Sequence, residues 1–377
     1  MQRRAFVFGW LGARVLEAAD AGRRSLVILV DGLGPEYIEA SEMPNLRRMG
    51  AGGFSFTGRS VIPSVTNVNN ASLVTASFPE EHGITTNYYY DAAARSWHPM
   101  ETSEFLLRPT LFEKIPAKTA MVTAKNKVLT LLARGATTAI AAERPPVDLP
   151  PAPGMYTAEV NHWCIRAAQK LLQDRAYRFV YLSTTDYMMH TYPPEDQRSR
   201  DHLRTFDAVL GEILDAHSDL DVFLTADHGM NAKTEGFDVK RWLHEKGFDA
   251  EAVPIIRDKH VVHHGNLGGA CYVYLHNPSD LERAEELLRK ERGVEEIYRR
   301  DEAARRFRLK AGRIGDLFLL GTREIAFGEL GRVREPVKVR SHGSRHEATV
   351  PLYGSRKWTG APPEFNVDLT RRNPLDS

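Results

Sequence analysis

The chain has 377 residues, and its 50 Lys and Arg against 49 Asp and Glu give a formal net charge of +1 at pH 7. This near balance argues against the basic surface that binds nucleic acid or an anionic membrane, and favours a small-molecule substrate. The length permits a sizeable core, as one large α/β domain with an insertion or as two domains.

The cysteines and the first residues bear on the cellular compartment. Cys164 and Cys271 are the only cysteines and have no CxxC spacing, which predicts neither a disulfide framework nor a thiolate metal site. Residues 3–21 begin like a signal peptide, but charged residues interrupt the apolar run, and no stretch is long enough to span a bilayer. We therefore predict a cytoplasmic protein without a membrane or nucleic-acid partner.

The first predicted element is a strand at residues 25–30 (SLVILV), which ends at Asp31-Gly32. A continuous apolar run of this length is typical of a buried parallel strand. Open α/β sheets bind ligands beyond the carboxyl ends of their strands, so Asp31 is a candidate site residue.

The next informative segment, IPSVTNVNNASLVTASFPEEHG, contains the candidate nucleophile, Thr66. Thr66 follows a proline-containing turn and precedes a helix-like pattern, which predicts a hydroxyl at a helix N-terminus, where backbone N–H groups favour a phosphoryl group. A threonine hydroxyl attacks well at neutral pH only when a metal ion or base activates it. The alternative interpretation is an ordinary helix N-cap.

Two basic residues and a proline-rich segment follow. Lys125 and Lys127 are two positions apart, so on an extended segment their ammonium groups would face the same side and could converge on an anionic substrate. The alternative is a solvated surface pair.

Residues 144–154 (RPPVDLPPAPG) predict a stiff surface loop or lid edge, or a plain connector.

Two later strands repeat the pattern of the first. Residues 179–182 (FVYL) lead to Asp186, and residues 222–224 lead to Asp227-His228. Helical patterns at residues 160–172 and 201–216 alternate with these strands, as in a doubly wound sheet. The sequence therefore predicts three strand ends that meet at one rim.

A first metal pair is predicted after the second of these strands. Asp186 and His190 are four residues apart, so a helix capped by Thr184 or Thr185 would place both side chains on one face. Without other ligands nearby, a surface helical pair would explain the same spacing.

A second pair follows the third strand, where Gly229 after Asp227-His228 could adopt positive φ and let the two side chains diverge. His342 in RSHGS is a further candidate ligand, with His346 as its competitor. Together these residues predict two divalent ions. Mixed carboxylate and imidazole ligands suit zinc, manganese or iron better than calcium or magnesium, and zinc is our first choice.

The composition of the chain changes at residues 237–335, which are rich in charged residues. This segment contains a strand-like ACYVYL (270–275), a helical pattern at 279–292 and strand patterns at 315–320. We predict a smaller α+β cap here, inserted into a catalytic core of residues 1–236 and 336–377. His263 and His264 are interpreted as part of a solvated loop; a position on the cap's substrate-facing side is the alternative.

In this order, the segments resemble the alkaline phosphatase superfamily, and within it most of all the phosphonoacetate hydrolases and the related nucleotide pyrophosphatases/phosphodiesterases. The motifs are VDGLGPEY, SVTNVNNASLVTASFPEEHGITTNYYYD, VTAKNKVLTLL, TTDYMMHTYPP, TADHGM and SHGSRHEATVPLY. The resemblance implies an α/β fold: an alkaline-phosphatase-like parallel-sheet core sandwiched by helices, with the inserted cap over the site. Ala76 departs from the pattern, because relatives usually have glycine there.

The resemblance also implies roles for individual residues. One metal ion would be bound by Asp31, Thr66, Asp227 and His228, and the other by Asp186, His190 and His342. Thr66 would be the nucleophile. Asn87 would donate to phosphoryl oxygens, and Lys125 and Lys127 would hold the substrate's carboxylate and phosphonyl oxygens.

The implied reaction is hydrolysis of the carbon–phosphorus bond of phosphonoacetate, or of a close phosphonate, to phosphate and acetate through a phosphothreonine. The alternative is a phosphodiesterase or nucleotide pyrophosphatase, for which the rings of Tyr88, Tyr89, Tyr90, Trp97 and Tyr192 could form a slot. A small phosphonate or phosphate ester is the expected substrate, and a homodimer is left open.

Overall fold

The structure is a computed structural model and describes residues 23–91, 93–257 and 263–371. The stretch at residues 3–21 that resembles the start of a signal peptide lies outside these residues. Within the described ranges, no helix is both long enough and apolar enough to cross a membrane.

The described strands, in chain order, are β1 (Arg24–Leu29), β2 (Phe54–Arg59), β3 (Tyr88–Asp91), β4 (Ser96–Pro99), β5 (Lys118–Thr123), β6 (Thr138–Ala141), β7 (Tyr177–Ser183), β8 (Leu220–Thr225), β9 (Asn231–Phe237), β10 (Ala250–Pro254), β11 (Ala270–Leu275), β12 (Val294–Arg299), β13 (Leu317–Gly321), β14 (Ile325–Phe327), β15 (Arg334–Ser341) and β16 (Thr349–Gly354).

The described α-helices are α1 (Pro35–Ala40), α2 (Pro44–Gly52), α3 (Thr66–Thr75), α4 (Pro79–His82), α5 (Leu111–Lys114), α6 (Asn126–Leu132), α7 (Glu159–Leu172), α8 (Tyr187–Thr191), α9 (Gln197–Ala216), α10 (Val239–Glu245), α11 (Leu281–Arg289), α12 (Arg300–Phe307) and α13 (Asp368–Arg371). Short 3-10 turns occur at Ser103–Phe105, Pro278–Asp280, Ala311–Arg313 and Arg345–Glu347.

A seven-stranded sheet in the order β2-β16-β8-β1-β7-β5-β6 forms the centre of the molecule. The five strands from β8 to β6 in this order run parallel, whereas β16 runs antiparallel to both β8 and β2. Every residue of β1 and β8 is buried, which is why their sequences are apolar without alternation. The predicted α/β class with a mostly parallel central sheet is confirmed.

Two predicted helices have different bounds in the structure. Helix α9 begins four residues earlier than predicted, because the Asp196 carboxylate accepts a hydrogen bond from the Arg198 N–H and caps the first turn. The pattern at residues 279–292 forms a 3-10 turn and then the shorter α11. Gly293, with φ +88°, separates α11 from β12.

The predicted cap region contains a second, antiparallel sheet of four strands in the order β10-β11-β13-β12. A three-stranded sheet, β14-β9-β15, lies where the chain enters and leaves this region. The α+β composition agrees with the prediction, while the residue bounds of the two predicted domains remain a prediction. Cys164 and Cys271 are both buried with free thiols.

Candidate metal centre and substrate cavity

Three aspartates meet at the carboxyl edge of the central sheet. Asp31 follows β1, Asp186 follows β7 and Asp227 follows β8, and β1 lies between the other two strands. This topology alone brings together carboxylates that are separated by up to 196 positions in the chain. The sequence pattern of strands that end in aspartate therefore pointed to the correct rim.

The first group of donors consists of Asp31, Asp227 and His228, all buried. The His228 Nε2 atom lies 3.4 Å from Asp31 Oδ1 and 3.5 Å from Asp227 Oδ2. Two ligand atoms of one tetrahedral zinc ion, each about 2.0–2.1 Å from the metal, are about 3.3 Å apart. These separations therefore fit three ligands of one ion.

The second group surrounds Asp186. Its Oδ2 atom lies 2.8 Å from His190 Nε2 and 3.7 Å from His342 Nε2. Neither Thr184 nor Thr185 caps helix α8 as predicted, because Asp186 itself occupies the N-cap position and makes no side-chain cap bond. Its carboxylate therefore remains available to a ligand.

The ligand histidines are fixed in the tautomer that metal binding needs. The Nδ1 atoms of His190, His228 and His342 face the backbone carbonyls of Arg340, Gly229 and Ser64, respectively. A nitrogen that donates to a carbonyl must carry the proton, so Nε2 keeps its lone pair and faces the site.

Glycine at one position allows these elements to approach closely. Gly32 has φ +75°, and a Cβ atom there would lie 3.1 Å from Met189 Cβ and 3.3 Å from Asp186 Cβ. Its N–H donates to Asp227 Oδ1 at 3.1 Å. Gly229 does not adopt positive φ, so the expected reason for the divergence of Asp227 and His228 is wrong.

Buried donor atoms without hydrogen-bond partners fit divalent cations. Asp31 Oδ1, Asp186 Oδ1, Asp227 Oδ2 and His228 Nε2 are buried and make no hydrogen bond. Uncompensated groups of this kind are costly in a protein interior unless a ligand or metal compensates them. Burial, with the neighbouring charges of Asp186 and Asp227, raises the pKa of the Asp31 carboxyl well above its usual range.

The pKa values of Asp186 and His342 are both lowered, for different reasons. Burial tends to raise the pKa of Asp186, but His190 and Lys125 outweigh it and lower that pKa well below its usual value. Burial lowers the pKa of the His342 imidazole, which is neutral near pH 7. Ionised carboxylate and neutral imidazole are the forms that bind zinc.

The candidate nucleophile opens helix α3. Thr66 is the first helical residue, after Val65, which provides no side-chain cap, so the first N–H groups of the helix are left for a ligand. Thr66 is therefore not the N-cap of the alternative interpretation. Nearby Ser64 is committed elsewhere, because its hydroxyl donates to the Ser344 carbonyl at 2.8 Å.

A small cavity of about 30 Å³ connects the nucleophile with the predicted substrate-binding residues, and Thr66, Asn87, Lys125, Lys127, Asp186 and His342 all line it. The predicted reason for the lysine pair is wrong, since no extended segment carries them: Lys125 is the N-cap of α6 and Lys127 lies in its first turn. The helix start nevertheless brings both residues to one cavity. Lys125 Nζ lies 3.8 Å from Asp186 Oδ1.

The cap side of the cavity contains residues that the sequence analysis did not assign to the site. Ile255, Ile256, His263 and His264 line it. The side chain of His263 is only 2% exposed and His264 is buried, so the interpretation of a solvated loop is wrong, and the alternative position on the cap's substrate-facing side agrees with the structure. The single available signal was the paired histidine itself, which the sequence does not place near Asp186.

Two other segments lie around this site. Residues of the proline-rich loop line an open groove of about 900 Å³ that Lys127 shares with the small cavity. His346 is turned away, and its Nε2 contacts Glu295 Oε2 at 2.6 Å. Of the two competing histidines, the structure thus places His342 beside Asp186.

A sequence model of the type I phosphodiesterase / nucleotide pyrophosphatase family matches residues 25–345, which include all the residues of the two donor groups and the small cavity. The chain belongs to this family. The resemblance to the alkaline phosphatase superfamily is thereby confirmed, and the chain is a member of a hydrolase family.

Solved structures give a closer likeness. Phosphonoacetate hydrolase from Sinorhizobium meliloti 1021, in complex with phosphonoacetate, superposes with a TM-score of 0.85 at 30% identity, over 94% of this chain and 95% of that one. The complex of the same hydrolase with phosphonoformate matches equally well. Human ectonucleotide pyrophosphatase / phosphodiesterase 5 shares the fold, with a TM-score of 0.68 at 13% identity over 92% of this chain and 93% of that one.

A curated relative is more distant. Human ectonucleotide pyrophosphatase/phosphodiesterase family member 1 is 27% identical over 224 residues, which is 55% of this chain. The matched region is only 23% of that protein's length. This relative therefore adds to the evidence for the family, and its substrates are no guide to those of this chain.

Proposed function

We propose that this protein hydrolyses the carbon–phosphorus bond of phosphonoacetate, or of a close phosphonate with a stabilised carbanion, to phosphate and a carboxylate. The observation that carries the proposal is the small cavity, which combines a helix-terminal threonine, an amide and two lysines beside the two donor groups. The likeness to phosphonoacetate hydrolase over nearly the whole chain supports it.

The size of the cavity favours a small substrate. About 30 Å³ holds roughly two water molecules, whereas pockets for ligands as large as a nucleotide usually measure about 300–1,000 Å³. Its cap side is lined by Ile255 and Ile256 together with His263 and His264.

The charges in the cavity also suit such a substrate. Phosphonoacetate carries a phosphonyl group and a carboxylate, and Lys125 and Lys127 supply two ammonium groups within the same small space. Ion pairs and charge-assisted hydrogen bonds are strong where solvent is excluded. The Asn87 amide and the first N–H groups of α3 would hold the remaining phosphonyl oxygens.

The reaction would proceed in two steps. The Thr66 hydroxyl loses its proton to solvent as its oxygen bonds to phosphorus. The carbon–phosphorus bond breaks, and its electrons pass to the carbon, which leaves as the enediolate form of acetate. The lysines offset the charge that grows on the carboxylate, and solvent supplies a proton to carbon. Water then attacks the phosphothreonine, releases phosphate and returns the proton to Thr66.

Two divalent ions, with zinc our first choice, would supply Lewis-acid chemistry when bound: activation of the Thr66 hydroxyl and of water, and neutralisation of phosphonyl charge. Asp31, Asp227, His228 and Thr66 would hold one ion. Asp186, His190 and His342 would hold the other. The buried, unpartnered donor atoms described above support two ions, and the distances from Asp186 to His190 and His342 support the second ligand set.

Hydrolysis of a phosphodiester is the second candidate, because the family includes phosphodiesterases and an open groove adjoins the cavity at Lys127. The residues that line this groove, all among those described, include no aromatic ring for a base. Tyr90 packs on Trp97 at 4.9 Å, and Tyr192 packs under Arg198 at 3.9 Å. None of the five rings of the predicted slot, Tyr88, Tyr89, Tyr90, Trp97 and Tyr192, is among the residues that line the small cavity, which favours the phosphonate.

The test is phosphate release by zinc-loaded protein from phosphonoacetate, compared with p-nitrophenol release from bis-p-nitrophenyl phosphate and a p-nitrophenyl nucleotide ester. Thr66→Ala serves as the blank. We expect phosphonoacetate to be hydrolysed far faster than either ester, with acetate and phosphate formed in equal amounts. Faster cleavage of the esters would instead identify a phosphodiesterase.

The lysines separate the two candidates further. Lys125→Ala and Lys127→Ala should each lower kcat/KM for phosphonoacetate by roughly 10–150-fold, which corresponds to the loss of one charge-assisted hydrogen bond of about 1.5–3 kcal/mol. Lys118→Ala is the matched control, because Lys118 lies on β5 and pairs with Asp174 at the surface. An equal loss on the esters would contradict a role in carboxylate binding.

A further inference from the structure

His263 lies in the cap region, 73 positions after His190, yet its imidazole reaches the second donor group. Its Nε2 atom is 3.6 Å from Asp186 Oδ1, and its ring centroid is 5.0 Å from that of His190. The donor atoms of Asp186, His190 and His263 all lie within 4.8 Å of one another. These three residues therefore form a potential ligand set of their own.

His263 contacts a different oxygen of the Asp186 carboxylate from the one that His190 and His342 contact. His190 and His342 approach Asp186 Oδ2, whereas His263 approaches Oδ1, which is buried and makes no hydrogen bond. The 3.6 Å separation is close to the roughly 3.3 Å expected between two ligand atoms of one tetrahedral zinc ion. It is too long for a hydrogen bond.

The imidazole of His263 is buried and makes no hydrogen bond. Neither Nδ1 nor Nε2 makes a hydrogen bond, although the side chain is only 2% exposed. Buried imidazoles are normally paired, and an unpaired one that faces a carboxylate oxygen points to an interaction with a ligand. His264 differs, since its Nδ1 atom accepts from the Asn266 N–H at 3.0 Å.

Aromatic packing holds the His263 ring at this place. Tyr156 lies 5.8 Å from it and Tyr187 6.2 Å, measured between ring centroids. Tyr156 and Tyr187 also contact each other at 5.6 Å. Residues from two other segments of the chain thus pack against an imidazole that has no hydrogen bond of its own.

We propose that His263 is a fourth protein ligand of the second ion, the one held by Asp186, His190 and His342, in the substrate-free enzyme. The inference deepens the proposed function, because it rests on a two-metal site. Catalytic zinc sites usually have three protein ligands and one open position. A fourth ligand from the cap would fill that position until substrate enters the cavity that His263 lines.

Metal binding without substrate tests this inference. Wild-type and His263→Ala proteins would be stripped, titrated with zinc against a chromophoric chelator, and loaded with cobalt for visible absorption spectra. We expect His263→Ala to keep one tight equivalent, to bind the other at least about tenfold more weakly, and to change the cobalt spectrum. Residues that only hydrogen-bond to a zinc ligand already contribute about 10–100-fold to metal affinity, so loss of a ligand should cost at least as much.

Two further variants sharpen the result. His346→Ala removes an imidazole that pairs with Glu295 at the surface, and it should bind both equivalents like wild type. His263→Asp keeps a metal-binding side chain but adds negative charge, so a ligand role predicts that it recovers affinity lost in His263→Ala. A role in holding an anionic substrate predicts no recovery of metal affinity.

Unchanged zinc affinity and an unchanged cobalt spectrum in His263→Ala would overturn the proposal, even if KM rose. Loss of both equivalents in His263→Ala and His263→Asp would overturn it as well, because His263 would then support the whole site. The proposed function fails separately: a wild-type protein that binds two ions but does not hydrolyse phosphonoacetate refutes that function, while the titration still decides the role of His263.

Discussion

At the scale of single residues, Glu347 links the loop that carries His342 to the β-sheet beside it. Both residues of the Lys233–Glu347 ion pair are buried, with a separation of 2.8 Å. Glu347 Oε1 also accepts from Asn231, and Oε2 accepts from the N–H and hydroxyl of Ser344. Ser344 in turn accepts from Ser64, whose carbonyl holds His342. The ligand thus depends on a chain of buried polar contacts.

Replacing Glu347 should therefore be costly. We expect Glu347→Ala to lower the free energy of unfolding by about 3–5 kcal/mol, because it leaves the Lys233 ammonium buried without its partner. Denaturant unfolding of the metal-free protein measures the loss. The double variant Lys233→Met/Glu347→Leu should recover much of it, since apolar replacement of a buried pair is often neutral. Equal losses in the single and double variants would contradict this account.

At the scale of elements, helix α3 ends at a strained position. Ala76 has φ +53° and ψ +40°, in the left-handed region, and its N–H closes the last turn on Leu73 and Ser72. A side chain costs about 1–2 kcal/mol in this conformation, whereas glycine adopts it freely. The sequence departure noted at this position thus has a direct structural consequence.

We expect Ala76→Gly to raise the free energy of unfolding by about 0.5–1 kcal/mol, the relief of strain less the greater entropy of the unfolded chain. Ala71→Gly, in the interior of the same helix, should lower it by about 1 kcal/mol or more. Denaturant midpoints of both variants test the difference in sign. A loss of stability in both would show that the Ala76 side chain contributes packing that outweighs its strain.

Helix α4 ends at a buried histidine that should make the protein sensitive to acid. His82 accepts at Nδ1 from the Ile84 N–H, so its proton is on Nε2, which contacts the Ser72 hydroxyl at 2.9 Å. Burial, with the nearby Arg313 charge, lowers the pKa of His82 to about 3. The folded-state pKa is below the unfolded value of about 6.5, so this stability is present above pH 6.5 and is lost as pH falls toward 3.

The expected loss is about 1.4 kcal/mol per pH unit below about 6.5. Urea unfolding at pH 7 and pH 5, with a chelator present so that metal loss does not contribute, would measure it. His82→Gln should be less stable at pH 7 but should lose about 2 kcal/mol less than wild type between the two pH values. Parallel losses in both proteins would mean that His82 does not control the response.

At the scale of the whole molecule, the sheet and the ligands on its rim were predictable, because buried parallel strands have a local apolar pattern and their carboxyl ends meet. Asp31, Asp186 and Asp227 each follow such a strand, and the strand order brings them together. The position of His263 depends on contacts between segments far apart in sequence, and no local pattern encodes these contacts. The start of α6 was not predicted: Lys125 and Lys127 were placed on an extended segment, but Lys125 is the N-cap of this helix and Lys127 lies in its first turn.

Folding buries three aspartates at the candidate metal centre. Because no cation offsets their charge in the metal-free protein, this burial should lower its free energy of unfolding. Asp31, Asp186 and Asp227 are at most 3% exposed. The raised pKa of Asp31 means that its ionised form opposes folding, and the opposition grows as pH rises from about 3.9 through that pKa. Bound cations would remove it by neutralising the carboxylates.

Asp31→Asn should therefore raise the melting temperature of the metal-free protein at pH 7 by roughly 2–4 °C, the equivalent of about 1 kcal/mol. Zinc should raise the melting temperature of wild type well above that of the variant, since saturation at 1,000 times Kd adds about 4 kcal/mol. Calorimetry with and without zinc would measure both effects.

Asp207→Asn is the control. Asp207 is buried but accepts from the Asn45 and Leu46 N–H groups, so its loss should destabilise the protein with or without zinc. If Asp31→Asn destabilises the metal-free protein as Asp207→Asn does, the burial of the ionised Asp31 carboxylate and its repulsion by Asp186 and Asp227 do not limit the stability of that protein.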